Sequence, residues 1–600
     1  MGGSEQAMRG LAVPGTLREN RADGSFVLRA AEALQPYGRC VGEWLERWSA
    51  QTPDAVVLAE PDGQGGWRCL SWRELRAQVG AVAQGLLDLD LPGSRPVVIL
   101  SDNGIEHAVL SLAAMHIGRP SCTVSSAYSK ARDTTRIAAI LQALQPALVY
   151  ASDAAVYGAA MKSCDVGAVR VAGQGAEQIG AIPFARLLAA ESPAVLERFL
   201  AIRPDDHAKY LLTSGSTGAP KVVINTHRML CANQQMIVQA WCFLAEEKPV
   251  LLDWLPWSHT FGGNHNLHMV LRHGGTLYID DGRPMPGLIE RTLRNLRSLP
   301  EDRRPTLHFN VPRGLDMLLP ALEADDALAR GFLGRLRGVF YAGAALPQAS
   351  WDRLQALARR VTGAPLWLTT SWGSTETAPA VTSAHFWLDG AGCIGVPLPG
   401  VALKFVPNGG KLELRVRGEA VFPGYRDAPE LSAQAFDEEG FYRIGDAGRL
   451  ADEQHPERGV IFDGRVAEDF KLATGTWVSV GTLRVKLVSA LSPLAQDAVL
   501  TGQDHDELGA LVFLSAGGLA LDEAERRRRV QAALHRLREA GGGSASFPTR
   551  VLLLAEPPSL DAGEITDKGY VNQRAVLARR AGDVAALHAG TDPRVIPIDT

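Results

Sequence analysis

The chain has 600 residues, 46% hydrophobic and 21% charged, with a formal net charge of −5 and a pI near 6.3. That is too long for one hydrophobic core and ordinary for a soluble globular protein, so at least two domains are expected. The small negative charge gives no footing for nucleic acid or an anionic membrane as partner, and any anion must be bound by local fields.

Seven cysteines (Cys40, Cys69, Cys122, Cys164, Cys231, Cys242, Cys393) are scattered, odd in number and never spaced as C-x-x-C. This argues for reduced thiols rather than a disulfide frame or a zinc site, and a cytoplasmic location is expected. The N-terminal MGGSEQAMRGLAVPG lacks the apolar segment of a secretion signal, and Gln6 stands where a myristoylation signal wants Ser or Thr. No apolar run reads as a transmembrane helix. Only ten of the 61 basic residues are lysines, so a lysine inside a motif carries more information than usual.

Residues 1 to about 38 are Gly, Arg and Ala rich without clear period and predict an extended arm on a domain surface. From Cys40 helical and strand patterns alternate: VGEWLERWSAQ and WRELRAQVGAVAQGLLDL are helical, and AVVLAE, PVVIL and PSCTVS are strands. IEHAVLSLAAMHIG is a further helix, and ALVYAS and AVRVAG extend a repeated βαβ pattern that predicts a largely parallel sheet.

Tyr210 to Thr226, YLLTSGSTGAPKVVINT, then runs from an apolar strand through small and turn-forming residues to Lys221 and a second strand. Gly215 and Gly218 let backbone N–H groups turn inward; Thr213, Ser214, Ser216 and Thr217 add hydroxyls; Lys221 adds a positive charge. The loop is built for phosphate. It is not a Walker A loop, because VVIN after the lysine reads as strand rather than helix.

Downstream, WLPWSHTFGGNHNLHMVLRHGG carries His259 in an aromatic, Gly-broken turn before a helix. His265 and His268 lie nearby, but HNLH lacks the acidic or cysteine partner of a metal site. VFYAGAALP is a strand leaving into Gly343, Ala344 and Ala345, where missing side chains let a flat ring approach the backbone. LTTSWGSTETAP supplies Trp372 and Gly373, then adjacent Thr375 and Glu376. Such a carboxylate can hold Mg²⁺ through hard oxygen ligation while the hydroxyl meets a phosphate. GFYRIGDAGRL ends a strand on Asp446, which can accept hydrogen bonds from both hydroxyls of a ribose. ERRRRVQAALHRLREA, from Glu525, reads as a solvated basic helix face.

These segments in this order resemble the core motifs of the adenylate-forming superfamily, which includes acyl-CoA synthetases, luciferases and peptide-synthetase adenylation domains. The resemblance covers nearly all of the chain past Cys40. It implies an α/β fold: a large N-terminal domain of βαβ-type sheets, residues 1–463, and a smaller mobile α+β C-terminal domain, residues 464–600, with a hinge near 465–468. It also implies ATP, Mg²⁺, coenzyme A and a small carboxylic acid as ligands. His259 would be the gate beside the acyl pocket, Trp372 would flank nucleotide and acyl group, and adenine would lie on Gly343 to Ala345. Arg465 would be a second ribose and phosphate contact, and Lys568 would bind the substrate carboxylate and α-phosphate. The loop from Gly475 to Val480 would turn toward the large domain for thiol transfer. The chain departs from the pattern at the hinge, where Ala467 replaces the usual Asp or Lys and Glu468 follows.

TGTWVSVGTLR and GEITDKGYVNQRAVL are similar to feruloyl-CoA synthases, which makes ferulate the expected acid, within aromatic catabolism. Trp254, Trp257, Phe261 and Trp372 are candidate walls for its ring. The alternatives are a related aryl- or fatty-acyl-CoA synthetase, an adenylation enzyme loading a carrier protein, and a non-catalytic acyl-adenylate or ATP sensor.

Overall fold

The computed structural model describes residues 8–598 apart from 164, 215–219, 345, 467, 542, 544, 560–561, 566–570 and 591. Among these residues no helix is long and apolar enough to cross a membrane.

A seven-stranded sheet carries the expected βαβ repeat. Its order is Pro220–Thr226, His207–Ser214, Ser121–Thr123, Val97–Ile99, Leu148–Asp153, Val169–Gln174 and Ile182–Pro183, and every pair is parallel except the first. Val97, Val98 and Ile99 are buried on both faces, as a parallel strand sandwiched between helices requires. On one face the helix Trp72–Asp88 packs against the helix Ile105–His116. Its first turn is held by a reciprocal cap between Ser71 and Glu74.

AVVLAE is not in that sheet. The strand Val56–Pro61 joins a four-stranded sheet with Trp67–Ser71, Thr276–Ile279 and Val250–Asp253. Periodicity identifies a strand but not its partners: here one is the adjacent Trp67–Ser71 and the other, Thr276–Ile279, lies more than 200 residues away. A third, three-stranded parallel sheet comprises Leu307–Asn310, Gly338–Tyr341 and Leu368–Thr369.

The N-terminal segment differs from a surface arm. Thr16–Asn20 and Phe26–Ala30 form a hairpin, and Phe26–Ala30 pairs antiparallel with Ala402–Asn408 in a six-stranded sheet completed by Lys411–Arg417, Tyr442–Leu450 and Val460–Arg465. The reason lies in FVL: Phe26, Val27 and Leu28 are fully buried, and Phe26 stacks on Phe405 with ring centroids 4.4 Å apart. Within the Gly and Arg-rich stretch that short apolar run outweighs the polar background.

From Phe470 onward the chain has its own apolar clusters, formed by residues 470–596 without any earlier residue. They cover a four-stranded sheet of Ala495–Thr501, Gly509–Leu514, Arg550–Leu554 and Val595–Pro597. The helix Glu523–Glu539 packs here, and its arginines do more than meet solvent. Arg526 donates to the carbonyls of Gly518 and Leu519, and Arg527 to that of Pro593.

Candidate active site

The phosphate-type loop closes an antiparallel hairpin in which Thr213 faces Lys221 and Ser214 faces Pro220. Gly215, Ser216, Thr217 and Gly218 lie outside the described residues, as does the Ser214 side chain. The buried Thr213 hydroxyl has no hydrogen-bond partner among the described residues. It is a donor left over at the mouth of the loop.

Residues Gly424 to Arg426 lie along the free edge of Pro220–Thr226. Arg426 N donates to Val222 O at 2.9 Å, and Tyr425 bridges to Val223. This short addition places the Tyr425 ring beneath Lys221, whose Nζ is 5.1 Å from its centroid, a cation–π distance. The same tyrosine donates its hydroxyl to Glu376 Oε1 at 3.1 Å. Burial and the neighbouring carboxylate push the phenol up, so it stays a donor. Tyr425 was not among the residues singled out from sequence. Its only signal there is an aromatic in FPGYRDAPE, between turn residues.

Thr375 and Glu376 sit in the short turn Thr375–Thr377. Ser374 Oγ accepts from Glu376 N at 3.2 Å, Thr377 Oγ1 donates to Pro379 O at 2.6 Å, and Glu376 O accepts from Phe422 N at 2.8 Å. Gly373 is required here because a Cβ would lie 1.8 Å from Pro379 O. The carboxylate is thus carried on a turn whose backbone groups are satisfied.

Trp372 Nε1 donates to Asp446 Oδ2 at 2.7 Å. The other oxygen, Oδ1, is buried without a hydrogen bond and lies 3.6 Å from Arg465 Nε. Asp446 and Arg465 are cross-strand partners, so Asp446 sits within a strand rather than at its end. Burial pushes the Asp446 carboxyl up while Arg465 opposes the shift. An orphaned carboxylate oxygen beside an exposed guanidinium is chemically suited to ligand hydroxyls. Gly343 (φ +86°) and the exposed Ala344 follow the strand Gly338–Tyr341, next to the strand leading to Trp372. Ligands of α/β sheets gather at such carboxyl ends. Ala345 lies outside the described residues.

His259 lies half-buried in the turn before a π-helical turn, Phe261–Asn266, a geometry enriched at functional sites. Gly263 N donates to His259 O at 2.8 Å. The π turn sends Asn264 and His265 to different surroundings. His265 enters an aromatic cluster with Phe261, Phe309 and Phe340. Asn264 Nδ2 donates to Thr260 Oγ1 at 3.1 Å and to Asn225 Oδ1 at 2.6 Å, and Asn225 Nδ2 donates to Thr375 O at 3.2 Å. Hydrogen bonds therefore tie together the histidine turn, the hairpin strand and the Glu376 turn. Neither asparagine carried a sequence signal beyond its neighbours.

Of the four candidate ring walls, Phe261 and Trp372 stand beside these groups. Trp254 is instead anchored to Asn310 Oδ1 at 3.2 Å, and Trp257 packs edge-on against His107. Gly475 (φ +83°) closes the hairpin of Phe470–Lys471 and Trp477–Val478, which rests through Trp477 on the Gly409 turn of the six-stranded sheet. No described contact joins Gly475 to Glu376. Lys568 and Ala467 lie outside the described residues; Ile565 and Val571, which flank the lysine loop, are bridged.

Among the described residues no group of three His, Cys, Asp or Glu converges as an all-protein metal cage. Glu376, with Tyr425 on one oxygen, matches the other mode, in which Mg²⁺ is held by one or two carboxylates together with substrate phosphates.

Paired strand ends, a phosphate-type hairpin and an acid carried on a tight turn define a nucleotide-binding α/β enzyme of the adenylate-forming fold. Residues 45–426 match the model of the AMP-binding enzyme family, and the chain belongs to that family. Among curated proteins, malonate–CoA ligase of Arabidopsis thaliana is 24% identical over 384 residues, 61% of this chain and 60% of that protein. Among solved structures, ATP-bound MatB from Rhodopseudomonas palustris superposes with a TM-score of 0.67 at 22% identity, covering 90% of this chain and 99% of that one. The anthranilate CoA ligase AuaEII in complex with anthranoyl-AMP gives 0.71 at 20% identity, covering 92% and 99%.

Asp253, at the head of the histidine segment, gives a pH test. Its Oδ1 accepts from Leu255 N and its Oδ2 from Asn266 Nδ2 at 2.8 Å, while burial, with Asp280 nearby, pushes its pKa up to about 7. The folded state therefore holds a proton that the unfolded chain releases near pH 4, and stability declines as pH rises from about 4 to about 7. Asp253→Asn, which mimics the protonated acid, is expected to match the wild type near pH 4 and to exceed it above pH 7. The check is the difference in thermal unfolding between the two proteins across pH 5–8; a pH-independent difference would contradict a buried neutral Asp253.

Proposed function

We propose that the protein is an ATP-dependent acid–CoA ligase acting on a hydroxycinnamate, ferulate foremost. The observation that carries this reading is the convergence of Lys221, Tyr425 and Glu376 beside Thr375, with the unbonded Asp446 oxygen close to Trp372.

In the first half-reaction an oxygen of the substrate carboxylate attacks the α-phosphorus of ATP, the bond to the β-phosphate oxygen breaks, and pyrophosphate leaves acyl-AMP. Thr213, the loop N–H groups, Lys221 and Thr375 hold the phosphates in line, so charge developing on the phosphate oxygens meets fixed donors. Glu376 would hold a Mg²⁺ ion, which when bound would supply neutralisation of phosphate charge. Tyr425 fixes the orientation of that carboxylate by donating to one oxygen. Asp446 and Arg465 take the ribose, the Gly343–Ala345 turn takes adenine, and Lys568 bridges the carboxylate and the α-phosphate. In the second half-reaction the thiol sulfur of coenzyme A attacks the acyl carbon, AMP departs with the electron pair of the broken C–O bond, and the thiol proton passes to solvent.

The two half-reactions use two placements of a smaller C-terminal domain, residues 464–600, turning about 465–468 against the domain of residues 1–463. Separate apolar clusters beyond Phe470 support this division. Lys411 spans the boundary, bonding to Asp463 O at 2.6 Å and Ser479 Oγ at 2.8 Å and pairing with Asp469. In the second placement the Gly475 loop would face the site and His259 would move aside for the thiol.

The acid assignment rests on the feruloyl-CoA synthase-like segments around Gly475 and Lys568 and on the aromatic candidates for the acyl pocket, among which Phe261 is half-buried beside the histidine turn. A planar phenylpropenoid loses little entropy on binding beside aromatic side chains, whereas a flexible acyl chain loses more.

Three outcomes test the proposal. Lys568→Ala is expected to abolish acyl-AMP formation, read by ATP–pyrophosphate exchange, while sparing thioester formation from supplied acyl-AMP; equal loss in both halves would rule out the two-placement scheme. Asp446→Ala is expected to raise KM for ATP about 10-fold or more, because a hydrogen bond to a charged group contributes about 1.5–3 kcal/mol. An unchanged KM would remove Asp446 from the ribose site. In competition among ferulate, p-coumarate, caffeate, benzoate and octanoate, ferulate is expected to show the highest kcat/KM for thioester formation. A preference for octanoate or benzoate would leave the ligase chemistry and refute the acid.

A further inference from the structure

Lys209 and Asn225 are cross-strand partners in the hairpin that carries the phosphate-type loop, so their side chains leave the same face. By the alternation of strands it is also the face of Thr213 and Lys221, the pair nearer the loop. Asn264, from the π-helical turn, lies across Lys209 and Asn225. Lys209 Nζ donates to its Oδ1 at 3.2 Å, and its Nδ2 donates to Asn225 Oδ1 at 2.6 Å. Asn225 Nδ2 in turn donates to Thr375 O at 3.2 Å. All three side chains are buried, Lys209 with 3% of its surface exposed.

A lysine buried in this way is costly, and nothing around it balances the charge. It has no acidic partner within ion-pair distance among the described residues. The cavity beside it, walled in part by His107, Thr123 and His268, has a volume of about 10 Å³, at the lower bound for one water and too small for a counter-ion. Burial holds His107 at a pKa of about 4 and His268 well below its usual value, and pushes the Cys122 thiol up to about 12, so all three are neutral at pH 7. Burial lowers Lys209 only to about 8, which leaves most of it charged. The ammonium leans on the Asn264 carboxamide and on the backbone of the π turn, where a Cβ at Gly263 would lie 3.1 Å from Nζ.

We infer that Lys209 is a positioning residue: it sets the direction of the amide relay and thereby holds the Thr375 turn for the first half-reaction. An asparagine side chain presents an oxygen on one side and N–H groups on the other, and turning it over reverses the two. An ammonium can only donate, so Asn264 must turn its oxygen to Lys209 and its N–H groups to Asn225 and Thr260. Asn225 must then accept from Asn264 and donate onward, which is what the Thr375 carbonyl, an acceptor only, requires. Both ends of the relay thus demand the same direction, and the charge at one end strengthens each bond along it. Turned over, Asn225 would set its oxygen against the Thr375 carbonyl. The catalytic consequence rests on the reading of Thr375 as a phosphate contact; the direction of the relay does not.

Two substitutions separate positioning from stability. Lys209→Met removes a buried, unpaired charge, and Asn264→Asp supplies that charge with a carboxylate while removing the N–H groups that serve Asn225, so neither is expected to lower the melting temperature. Both are expected to lower kcat for ATP–pyrophosphate exchange about 10- to 100-fold while KM for ATP stays within about twofold. Wild-type kcat in Asn264→Asp would overturn the inference, and so would losses of activity that follow a lower melting temperature in both variants. In an Asn264→Ala background Lys209→Met is expected to cost nothing further, because the lysine acts through that amide; independent, multiplying losses would overturn the inference. A crystal structure of Asn264→Asp reads the relay apart from the reaction: Asn225 is expected turned over, with the Thr375 carbonyl moved away from it. An unmoved Thr375 turn overturns the inference whatever the activity. A moved turn in a protein whose wild type exchanges pyrophosphate with no acid would uphold the relay and refute the ligase reading instead.

Discussion

One hydroxyl holds the site's separate parts in a common frame. Tyr425 donates a hydrogen bond to Glu376 and offers its ring face to Lys221, and it can do both because three residues of its loop lie along the edge of a strand. The two functional groups come from places in the chain more than 150 residues apart. If Glu376 is to meet a metal and phosphate, as proposed, it cannot pair directly with a nearby lysine, since a salt bridge would occupy the oxygens the ligand needs. An aromatic spacer with a polar tip separates the charges and still orders both. The buried asparagine relay repeats the logic with neutral amides, binding the histidine turn to the Glu376 turn without introducing another charge.

Much of this was legible in the sequence, for identifiable reasons. The hairpin of residues 207–226 and the Thr375 turn show themselves because strand and turn geometry restrict residue type at consecutive positions. The adenylate-forming fold and the membership of the AMP-binding enzyme family follow the same order of motifs. Tyr425, Asn225 and Asn264 were not legible, because their roles arise from pairing across long separations and a lone tyrosine or asparagine looks alike in any loop. Trp254 and Trp257 carry contacts that local pattern does not show: Trp254 is anchored to Asn310 and Trp257 packs edge-on against His107.

Strand partnership was the other limit. Val56–Pro61 has the pattern of a sheet strand but joins Thr276–Ile279 on one side, and the FVL run near the N-terminus reads as part of an extended surface arm although it is fully buried. Local pattern reports which face of a segment is apolar. It says nothing about which distant segment will cover that face, and in a chain of several sheets most choices remain open until the whole is assembled.

The pairing of Phe26–Ala30 with Ala402–Asn408 bears on how the chain is made. During synthesis, at about 5–20 residues per second, the first of these strands waits roughly 20 to 70 s for the second to emerge. In that interval Phe26, Val27 and Leu28 form part of a two-stranded hairpin with an open edge, which is marginal in water and a template for other strands. A chaperone engaging in that interval would therefore meet the open hairpin before the six-stranded sheet is complete.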